Sequence, residues 1–384
     1  GEQRMGGAGI LVAGNPADGS KSGFTDVEIS GCECHDNAYY GILITGAWDT
    51  KATTYANADV RILDCRVHDN PGDPLYHENH SGSGLLVEDC DGGLVDRCVA
   101  WENGAQCDGA PGGPCGIWTA VANNVVIQRC EAFRNRTGTS ADGNGFDLDG
   151  GCTNCVLQYN YAHDNDGAGI LVYTYQDSPH RHHGNVVRWN VCENNAVKKR
   201  QYGELYVGDG GDGLSGVEVY HNTFITDQPA EAVVSVVGRK IGVALRNNLI
   251  VSTGRVRAVL VEQDAPEIVI QGNAYWNDGF FARLGSRDIA DLAAWQAAGK
   301  ELAGTTPLGV WAEPQLDLAS ARGTEGEVAR LPRLTAFVPK ATSPATRTGI
   351  DLKAKAGIQR GPRDFRDRPL AGVRKPFAGA CAIE

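Results

Sequence analysis

Apolar residues alternate with polar ones in short segments that recur along most of the chain. Alternating pairs stand at Val27/Ile29, Val60/Ile62, Val125/Ile127, Val217/Val219, Val243/Leu245 and Ile268/Ile270. This period of two predicts strands with one buried face. A second strand in each repeat begins at glycine, in GILV (9–12), GILI (41–44), GLLV (84–87), GIWT (116–119), GFDLD (145–149) and GILVY (169–173). Short strands repeated with no helix between them predict a solenoid of stacked parallel coils.

Two columns of small polar or thiol residues accompany these strands. The first column, with steps of 25 to 33 residues, contains Cys32, Cys65, Cys98, Cys130, Asn160, Asn190, Asn222, Asn248 and Asn273. Five residues further on, the second contains Asn37, Asn70, Asn103, Asn135, Asn165, Asn195 and Asp227. We expect both columns to point into the coils, because stacked amides hydrogen-bond to each other and thiols pack as small apolar groups.

The glycine-led strands, the HDN-type turns and the asparagine column together resemble the right-handed parallel β-helix proteins of the pectate-lyase-like superfamily. The stretch 145–173 is similar to bacterial β-helix repeat proteins that are described as carbohydrate-active. The resemblance covers about residues 5–280 and implies an all-β solenoid of about nine coils over residues 1–280. It predicts the fold and not the reaction, because this superfamily includes lyases, glycosidases, esterases, epimerases and proteins without activity.

The repeat ends near residue 278. The segment SRDIADLAAWQAAGKE (286–301) predicts an amphipathic helix with Ser286 as its N-cap, and Pro and Arg punctuate the remainder. We expect residues 281–384 to form a helix-containing extension that packs on the solenoid or caps it, since an open end exposes unpaired strand edges.

The amino-acid composition argues against some classes of binding partner. The 384 residues carry a net charge of −12, which disfavours nucleic acid and anionic membranes, and no apolar run reaches the length of about 18 residues that spans a bilayer. The chain opens with GEQRMGGAGILV, already inside a repeat-like segment, so we expect a leader and earlier coils to be absent and the protein to be secreted, periplasmic or on the cell surface. Cys107 and Cys115 bracket a short loop and predict a disulfide.

One outer face of the solenoid combines acids and aromatic residues. If the glycine of each GILV-type strand is position zero, positions two and four point outward. They are apolar at Leu11 and Leu43, and then become Glu88, Trp118, Asp147, Asp149, Tyr173 and Tyr206. Aromatic rings stack on sugar rings, and carboxylates bind hydroxyls or transfer protons, so we predict that Glu88, Trp118 and Tyr206 bind substrate.

Asp147 and Asp149 form the candidate catalytic pair. Two carboxylates at i and i+2 on one strand face lie roughly 6–7 Å apart, between the separations of retaining and inverting glycosidases. Their mutual repulsion raises one pKa, which suits an acid and a base. Alternatives are solvated surface acids, acids that orient a turn, or a calcium site that adds Asp164 or Asp166. No other metal or cofactor is predicted.

Long inserts at 46–58, 70–83, 103–115, 136–144 and 174–184 flank this face and should wall a groove. Two of them are rich in histidine, LYHENH (75–80) and YQDSPHRHHG (175–184). We predict His182 and Tyr173 as catalytic groups beside the carboxylates, and Arg181 and His77 as substrate contacts.

These residues favour an extracellular carbohydrate-active enzyme that hydrolyses an oligosaccharide or polysaccharide. A polysaccharide lyase or uronate epimerase is the second hypothesis. It needs a base and neutralisation of the uronate carboxylate, and the central outward strand positions lack Lys and Arg, although a mechanism with Tyr173 and His182 satisfies the first need. A third hypothesis is a carbohydrate-binding or surface solenoid without catalysis.

Overall fold

Parallel strands stack into a right-handed β-helix in the computed structural model, which describes residues 7–14, 22–278, 281–320, 323–373 and 375–382. The predicted fold class is therefore confirmed. The first six residues of the opening segment, on which the expectation of missing earlier coils partly rests, lie outside the described residues. No helix in the described part is long and apolar enough to cross a membrane.

Two stacked sheets contain most of the described strands. The larger sheet has 19 strands: Ala8–Gly14, Glu28–Ser30, Tyr40–Gly46, Asn57–Leu63, Ser83–Asp96, Cys115–Gln128, Asn144–Leu148, Val156–Gln158, Ile170–Tyr175, His182–His183, Val186–Arg188, Leu205–Gly210, Leu214–Tyr220, Ala232–Val237, Ile241–Arg246, Arg257–Val261, Ile268–Gln271, Ala282–Leu284 and Arg287–Ile289. The second has ten: Glu33–His35, Arg66–His68, Val99–Trp101, Glu131–Phe133, Tyr161–His163, Val191–Glu193, Thr223–Thr226, Leu249–Ser252, Ala274–Trp276 and Val310–Trp311. A small hairpin pairs Leu302–Ala303 with Thr306–Pro307.

The register places like positions over like positions on successive coils. One inward column of the core runs through Ile10, Ile42, Leu85, Ile117, Phe146, Ile170 and Leu205. The neighbouring outward column runs through Leu11, Leu43, Leu86, Trp118, Asp147, Leu171 and Tyr206. The side-chain parity predicted for the glycine-led strands is correct, and it places Trp118 and Asp147 on adjacent coils of one face.

Asparagine ladders line the interior as predicted. Asn190 Nδ2 donates to Asn222 Oδ1 at 3.0 Å, and Asn222 Nδ2 donates to Asn248 Oδ1 at 3.0 Å. The second ladder differs from the prediction at its end, because Asn195 Nδ2 donates to Glu204 Oε2 at 2.6 Å and Asp227 lies outside it. The backbone N–H of Asp227 instead donates to the neighbouring side chain of Asn194. Each ladder thus keeps buried amides hydrogen-bonded without water.

The prediction for residues 286–301 was wrong in its bounds. Arg287–Ile289 forms a strand antiparallel to Ala282–Leu284, and the helix covers only Leu292–Ala297. Asp291, not Ser286, caps it by accepting from the N–H of Ala294 at 2.8 Å. The solenoid also continues beyond residue 278, since Ala282–Leu284 and Val310–Trp311 still pair with its two sheets.

The chain after residue 311 packs along the second sheet. It contains the 3₁₀ helices Val328–Arg333 and Pro344–Arg347 and the α-helix Leu352–Ala356. Leu331, Leu334 and Phe337 share a buried cluster with Tyr161 and Val191 of the solenoid. This segment therefore covers a flank of the coils, and the outward face with Trp118 and Asp147 lies elsewhere on the surface.

Candidate active site

A groove of about 750 Å³ lies on the outward face, within the size range of small-ligand sites. Its floor is the outward column of strand residues, and its walls come from the long inserts. Each of the five inserts contributes to the walls, through Trp48 and Asp49, His80, Gly112, Asp142, and Tyr175. The stacked strands supply a rigid floor, and the loops between them supply the concave shape.

Asp147 lies on this floor and is 2% exposed. Its Oδ2 atom faces Cys115 Sγ at 3.7 Å, whereas its Oδ1 atom has no hydrogen-bond partner. The indole N–H of Trp118, one coil away, also has none. Buried polar groups without partners are rare and costly, so they point to a ligand that supplies the missing hydrogen bonds.

Burial shifts the acidities of the carboxyl pair. It raises the pKa of Asp147 well above its ordinary value, and the nearby charges of Asp149 and Asp142 raise it further. Burial raises the pKa of Asp149 to about 7, against a lowering effect of the Gly150 N–H. The directions of these shifts favour a protonated Asp147 beside an Asp149 that exchanges its proton near pH 7, which is the combination of a proton donor and an anion.

Two more carboxyls flank the pair. Glu88 Oε2 accepts a hydrogen bond from Thr45 Oγ1 at 2.5 Å. Asp142 Oδ1 accepts one from the Tyr202 hydroxyl at 2.9 Å, and burial raises the pKa of Asp142. Since Glu88 and Asp142 both help to raise the pKa of Asp149, the four acids form one electrostatically linked group.

Aromatic side chains line the groove on both sides of the acids. Trp48, 47% exposed, stacks on Tyr175 with ring centroids 6.1 Å apart. Tyr202 meets Tyr206 edge to face at 5.0 Å. Glycine makes room for another ring, because a Cβ at Gly208 would lie 2.7 Å from the ring of Tyr173. These rings offer flat faces of the kind that pack on sugar rings.

His80 also lines the groove and contacts Trp118 on its floor. Its ring meets Trp118 edge to face at 5.1 Å, and the Tyr40 hydroxyl lies 3.5 Å from its Nδ1 atom. Burial lowers the pKa of His80 to about 4, so the ring is neutral at physiological pH. His80 therefore adds a hydrogen-bonding group to the groove without adding charge.

The structure brings together six of the nine predicted site residues. Glu88, Trp118, Asp147, Asp149, Tyr173 and Tyr206 all line the groove.

The other three predicted residues do not line it. His182 is 3% exposed and lies in register with the core residue Leu214. Burial lowers its pKa to about 4, against a raising effect of the Asp149 backbone, but His182 does not line the groove itself. Arg181 is exposed, and its backbone carbonyl accepts a hydrogen bond from the Thr153 hydroxyl. His77 is exposed and its Nδ1 atom bonds the carbonyl of Asp108 at 2.8 Å. The structure does not place these three residues in the lining, because a histidine-rich loop does not reveal which side chains face the groove; the roles predicted for them stay predictions.

The structure does not bring the residues of the calcium alternative together in the groove. Asp166 does not line the groove, and its carboxylate accepts from the Thr137 N–H at 3.0 Å and lies 3.4 Å from Arg136. The described residues contain no group of three or more His, Cys, Asp or Glu that could hold a metal ion. The predicted disulfide is also absent, since Cys107 and Cys115 are both free.

Several lining residues were missed by the sequence reasoning, namely Tyr40, Trp48, Asp142, Tyr175 and Tyr202. Three of them lie in the inserts that were predicted to wall a groove, so the insert positions were the available signal. Tyr40 directly precedes the glycine of a GILI strand, and Tyr202 comes from a connection that carried no repeat pattern.

Comparison with known proteins gives a fold-level result. The family described as right handed beta helix region matches residues 3–186. The crystal structure of pectate lyase Pel9A aligns with 97% of this chain and 70% of that chain, at 13% identity and a TM-score of 0.41. No curated protein sequence matches. The stacked parallel coils give the chain the right-handed β-helix fold, and the family match over residues 3–186 agrees with this fold.

Proposed function

We propose that the groove binds an oligosaccharide or polysaccharide and hydrolyses a glycosidic bond. The observation that carries this proposal is Asp147, a buried carboxyl on the groove floor whose Oδ1 atom has no partner, with Asp149 two residues away on the same face. Aromatic walls on both sides of this pair support a sugar as the ligand. A secreted or periplasmic location accompanies the proposal, because polymeric sugars do not cross membranes unaided.

The two acids take different roles. Asp147 donates its proton to the glycosidic oxygen as the bond from that oxygen to the anomeric carbon breaks. On a direct route, a water oxygen bonds to the anomeric carbon and the water proton passes to the ionised carboxylate of Asp149. On a route through a glycosyl-Asp149 ester, water attacks the anomeric carbon of the ester, its proton passes to the carboxylate of Asp147, and Asp149 leaves as a carboxylate. The raised pKa values of both acids suit this division at neutral pH.

The acidic lining favours hydrolysis over elimination. A lyase or epimerase must stabilise the carboxylate of a uronate, which requires a positive charge near the sugar. Among the described residues that line the groove, none is Lys or Arg, and six are Asp or Glu. Such a groove repels uronates.

The test is an assay of bond cleavage on soluble neutral glucans, a glucosamine polymer and polygalacturonate. We expect new reducing ends without ultraviolet absorbance from an unsaturated uronide. Asp147→Asn and Asp149→Asn should abolish this release, and Asp36→Asn, at an exposed turn away from the groove, should retain it. A rise in unsaturated product would establish a lyase, and binding without cleavage that survives both groove variants would establish a binding protein.

A further inference from the structure

Trp118 lies on the groove floor, but it is too buried to serve as a stacking platform for a sugar ring. It is 4% exposed, and the ring of His80 meets it edge to face with centroids 5.1 Å apart. Stacking needs an open ring face, which Trp48 offers at 47% exposure and Trp118 does not. The polar group that Trp118 can offer to a ligand is its indole N–H, which only donates hydrogen bonds.

This N–H has no hydrogen-bond partner among the described residues. A buried donor without a partner costs free energy, and a ligand atom that accepts its hydrogen bond recovers that cost. The indole N–H of Trp311 also lacks a described partner, but Trp311 does not line the groove. Trp118 is therefore distinguished by its position on the floor together with the missing bond.

The surroundings of this N–H are mostly apolar. Trp118 shares a buried cluster with five small or apolar residues: Leu43, Leu86, Cys115, Ala120 and Val121. The Cys115 sulfur is already engaged, because it accepts from Asn144 Nδ2 at 3.5 Å and lies 3.7 Å from Asp147 Oδ2. A ligand hydroxyl at Trp118 would bring its own proton into this cluster, where the apolar side chains offer no acceptor. An oxygen that only accepts, carried by an apolar group, avoids this cost.

Asp147 fixes where on the ligand such an oxygen lies. It is in register with Trp118 on the next coil, and adjacent strands are about 4.8 Å apart, so the two side chains contact neighbouring parts of one ligand. In the proposed reaction Asp147 faces the glycosidic oxygen. Trp118 then faces a substituent close to the bond that is cleaved.

We propose that the groove recognises an acetylated sugar, and that the indole N–H of Trp118 donates to the carbonyl oxygen of the acetyl group. The carbonyl oxygen only accepts hydrogen bonds, and the methyl group packs on the apolar floor formed by Leu43 and Leu86. This inference rests on the proposed function and names its substrate class. Amide-linked and ester-linked acetyl groups share this chemistry, so the test includes both.

Binding is measured by titration calorimetry at pH 7 with two pairs of uncharged tetrasaccharides. The N-acetylglucosamine tetramer of chitin is paired with the glucose tetramer of cellulose, which has the same linkage and a hydroxyl in place of the acetamido group. An O-acetylated xylotetraose is paired with its deacetylated form. Because all four are uncharged, the acids of the groove do not decide the comparison. Asp149→Asn serves as the binding form, since it is expected not to cleave them and leaves Trp118 and Asp147 in place, and the wild type is measured in parallel.

We expect the acetylated member of at least one pair to bind at least about fivefold more tightly than its partner, as one recovered hydrogen bond and a buried methyl group would give. The pair that shows this preference identifies the amide or the ester as the linkage. If neither acetylated member binds more tightly than its partner, absence of binding included, the inference is overturned.

Trp118→Phe keeps an aromatic ring and removes the N–H. We expect it to reduce the preference for the acetylated member to less than about twofold, whereas Trp311→Phe, the matched control outside the groove lining, should leave the preference unchanged. Since the preference is a ratio, a loss of folded protein affects both members of a pair alike. A preference that persists in Trp118→Phe contradicts the role of this N–H.

The indole N–H resonances of the wild type give a direct readout. The resonance that is missing from Trp118→Phe should move downfield when the preferred tetramer is added, because hydrogen bonding deshields the proton. The Trp311 resonance, assigned in the same way, should stay in place. A Trp118 resonance that does not move under saturating tetramer also contradicts the assignment.

The two proposals fail in different ways. If an acetylated tetramer binds with this preference but the wild type never cleaves it, hydrolysis is wrong and the ligand class stands. If the wild type cleaves unacetylated tetramers and shows no preference for acetylated ones, hydrolysis stands and the ligand class is wrong.

Discussion

The solenoid buries polar groups both inside its coils and on the groove floor, and the two places differ in how completely these groups are hydrogen-bonded. Asn190, inside the coils, is 0% exposed, and Asp147, on the groove floor, is 2% exposed. Asn190 donates to Asn222 and to the carbonyl of Leu157, and its Oδ1 atom accepts from Asn160. Asp147 has only a thiol contact and one oxygen with no partner.

Both columns arise from the same stacking of coils, and only the direction of the side chain differs. Inside the coils, each asparagine provides the hydrogen-bond partner of the asparagine in the next coil, so the repeat itself keeps the buried amides hydrogen-bonded. Outside, the repeat supplies no partner, and the walls exclude much of the water. Complete hydrogen bonding of the buried amides therefore serves the structure, whereas the atoms of Asp147 and Trp118 that lack partners lie on a groove floor and mark the candidate site.

The largest expected effect is on catalysis. Asp147→Asn keeps the size of the side chain but removes the proton donor, so we expect kcat to fall by about 10³-fold, equivalent to about 4 kcal/mol. The measurement is the release of reducing ends from whichever substrate the bond-cleavage assay identifies. An aryl glycoside of the same sugar, whose leaving group needs little protonation, should lose much less activity. An equal loss on both substrates would contradict the role of Asp147 as acid.

Removing one asparagine of the ladder should lower the stability of the protein. Asn190→Ala removes the acceptor of the backbone and side-chain N–H groups of Asn160 and the donor to the Leu157 carbonyl, all inside the solenoid, so we expect a loss of about 3 kcal/mol in the free energy of unfolding. Denaturant unfolding measures this loss. Asn123→Ala, which removes a partly exposed amide bonded to Asp91, is the matched control and should cost about 0.5 kcal/mol or less. Similar losses in the two variants would show that the ladder carries no special stability.

Asp149 should destabilise the protein in its charged form. Because its folded pKa of about 7 lies above the unfolded value, the native state binds more protons between these values, and stability is lost as pH rises through this window. Asp149→Asn removes this loss, so we expect a gain of about 1–3 kcal/mol at pH 8 and almost none at pH 4. Thermal unfolding at the two pH values measures it. A gain of the same size at pH 4 would assign the effect to something other than the charge.

The repeat explains how much could be predicted from sequence. Strand parity and both ladders follow from a period that every coil repeats, so errors do not accumulate, and Asp147 and Trp118 were placed on one face correctly. The end of the repeat was harder. Ser286 precedes a strand, because Arg287–Ile289 pairs with Ala282–Leu284. This pairing is a tertiary contact, which cannot be predicted from local propensity.

The walls of the groove were predictable in position but not in detail. Their loops were recognised by length, yet the side chains that face the groove depend on irregular backbone. His182 was therefore predicted for a lining in which the structure does not place it, while Asp142 and Tyr202, which lie 60 residues apart and share a hydrogen bond, were missed. No periodic pattern links those two residues, so only the folded coils bring them together.

The smallest expected effect is that of Trp48→Ala, which tests whether the groove wall contributes to substrate binding alone. Trp48 is half-exposed at the groove wall, where its ring stacks on Tyr175. Trp48→Ala should therefore weaken substrate binding about fivefold, equivalent to about 1 kcal/mol, and leave kcat unchanged, because the ring stacks on the sugar equally in the ground state and the transition state. Leu75→Ala, at an 85% exposed position outside the groove lining, is the control and should change neither constant. A fall in kcat as large as the rise in KM would mean that the wall positions the substrate on the acids, and the division between a binding wall and a reactive floor would then have to be abandoned.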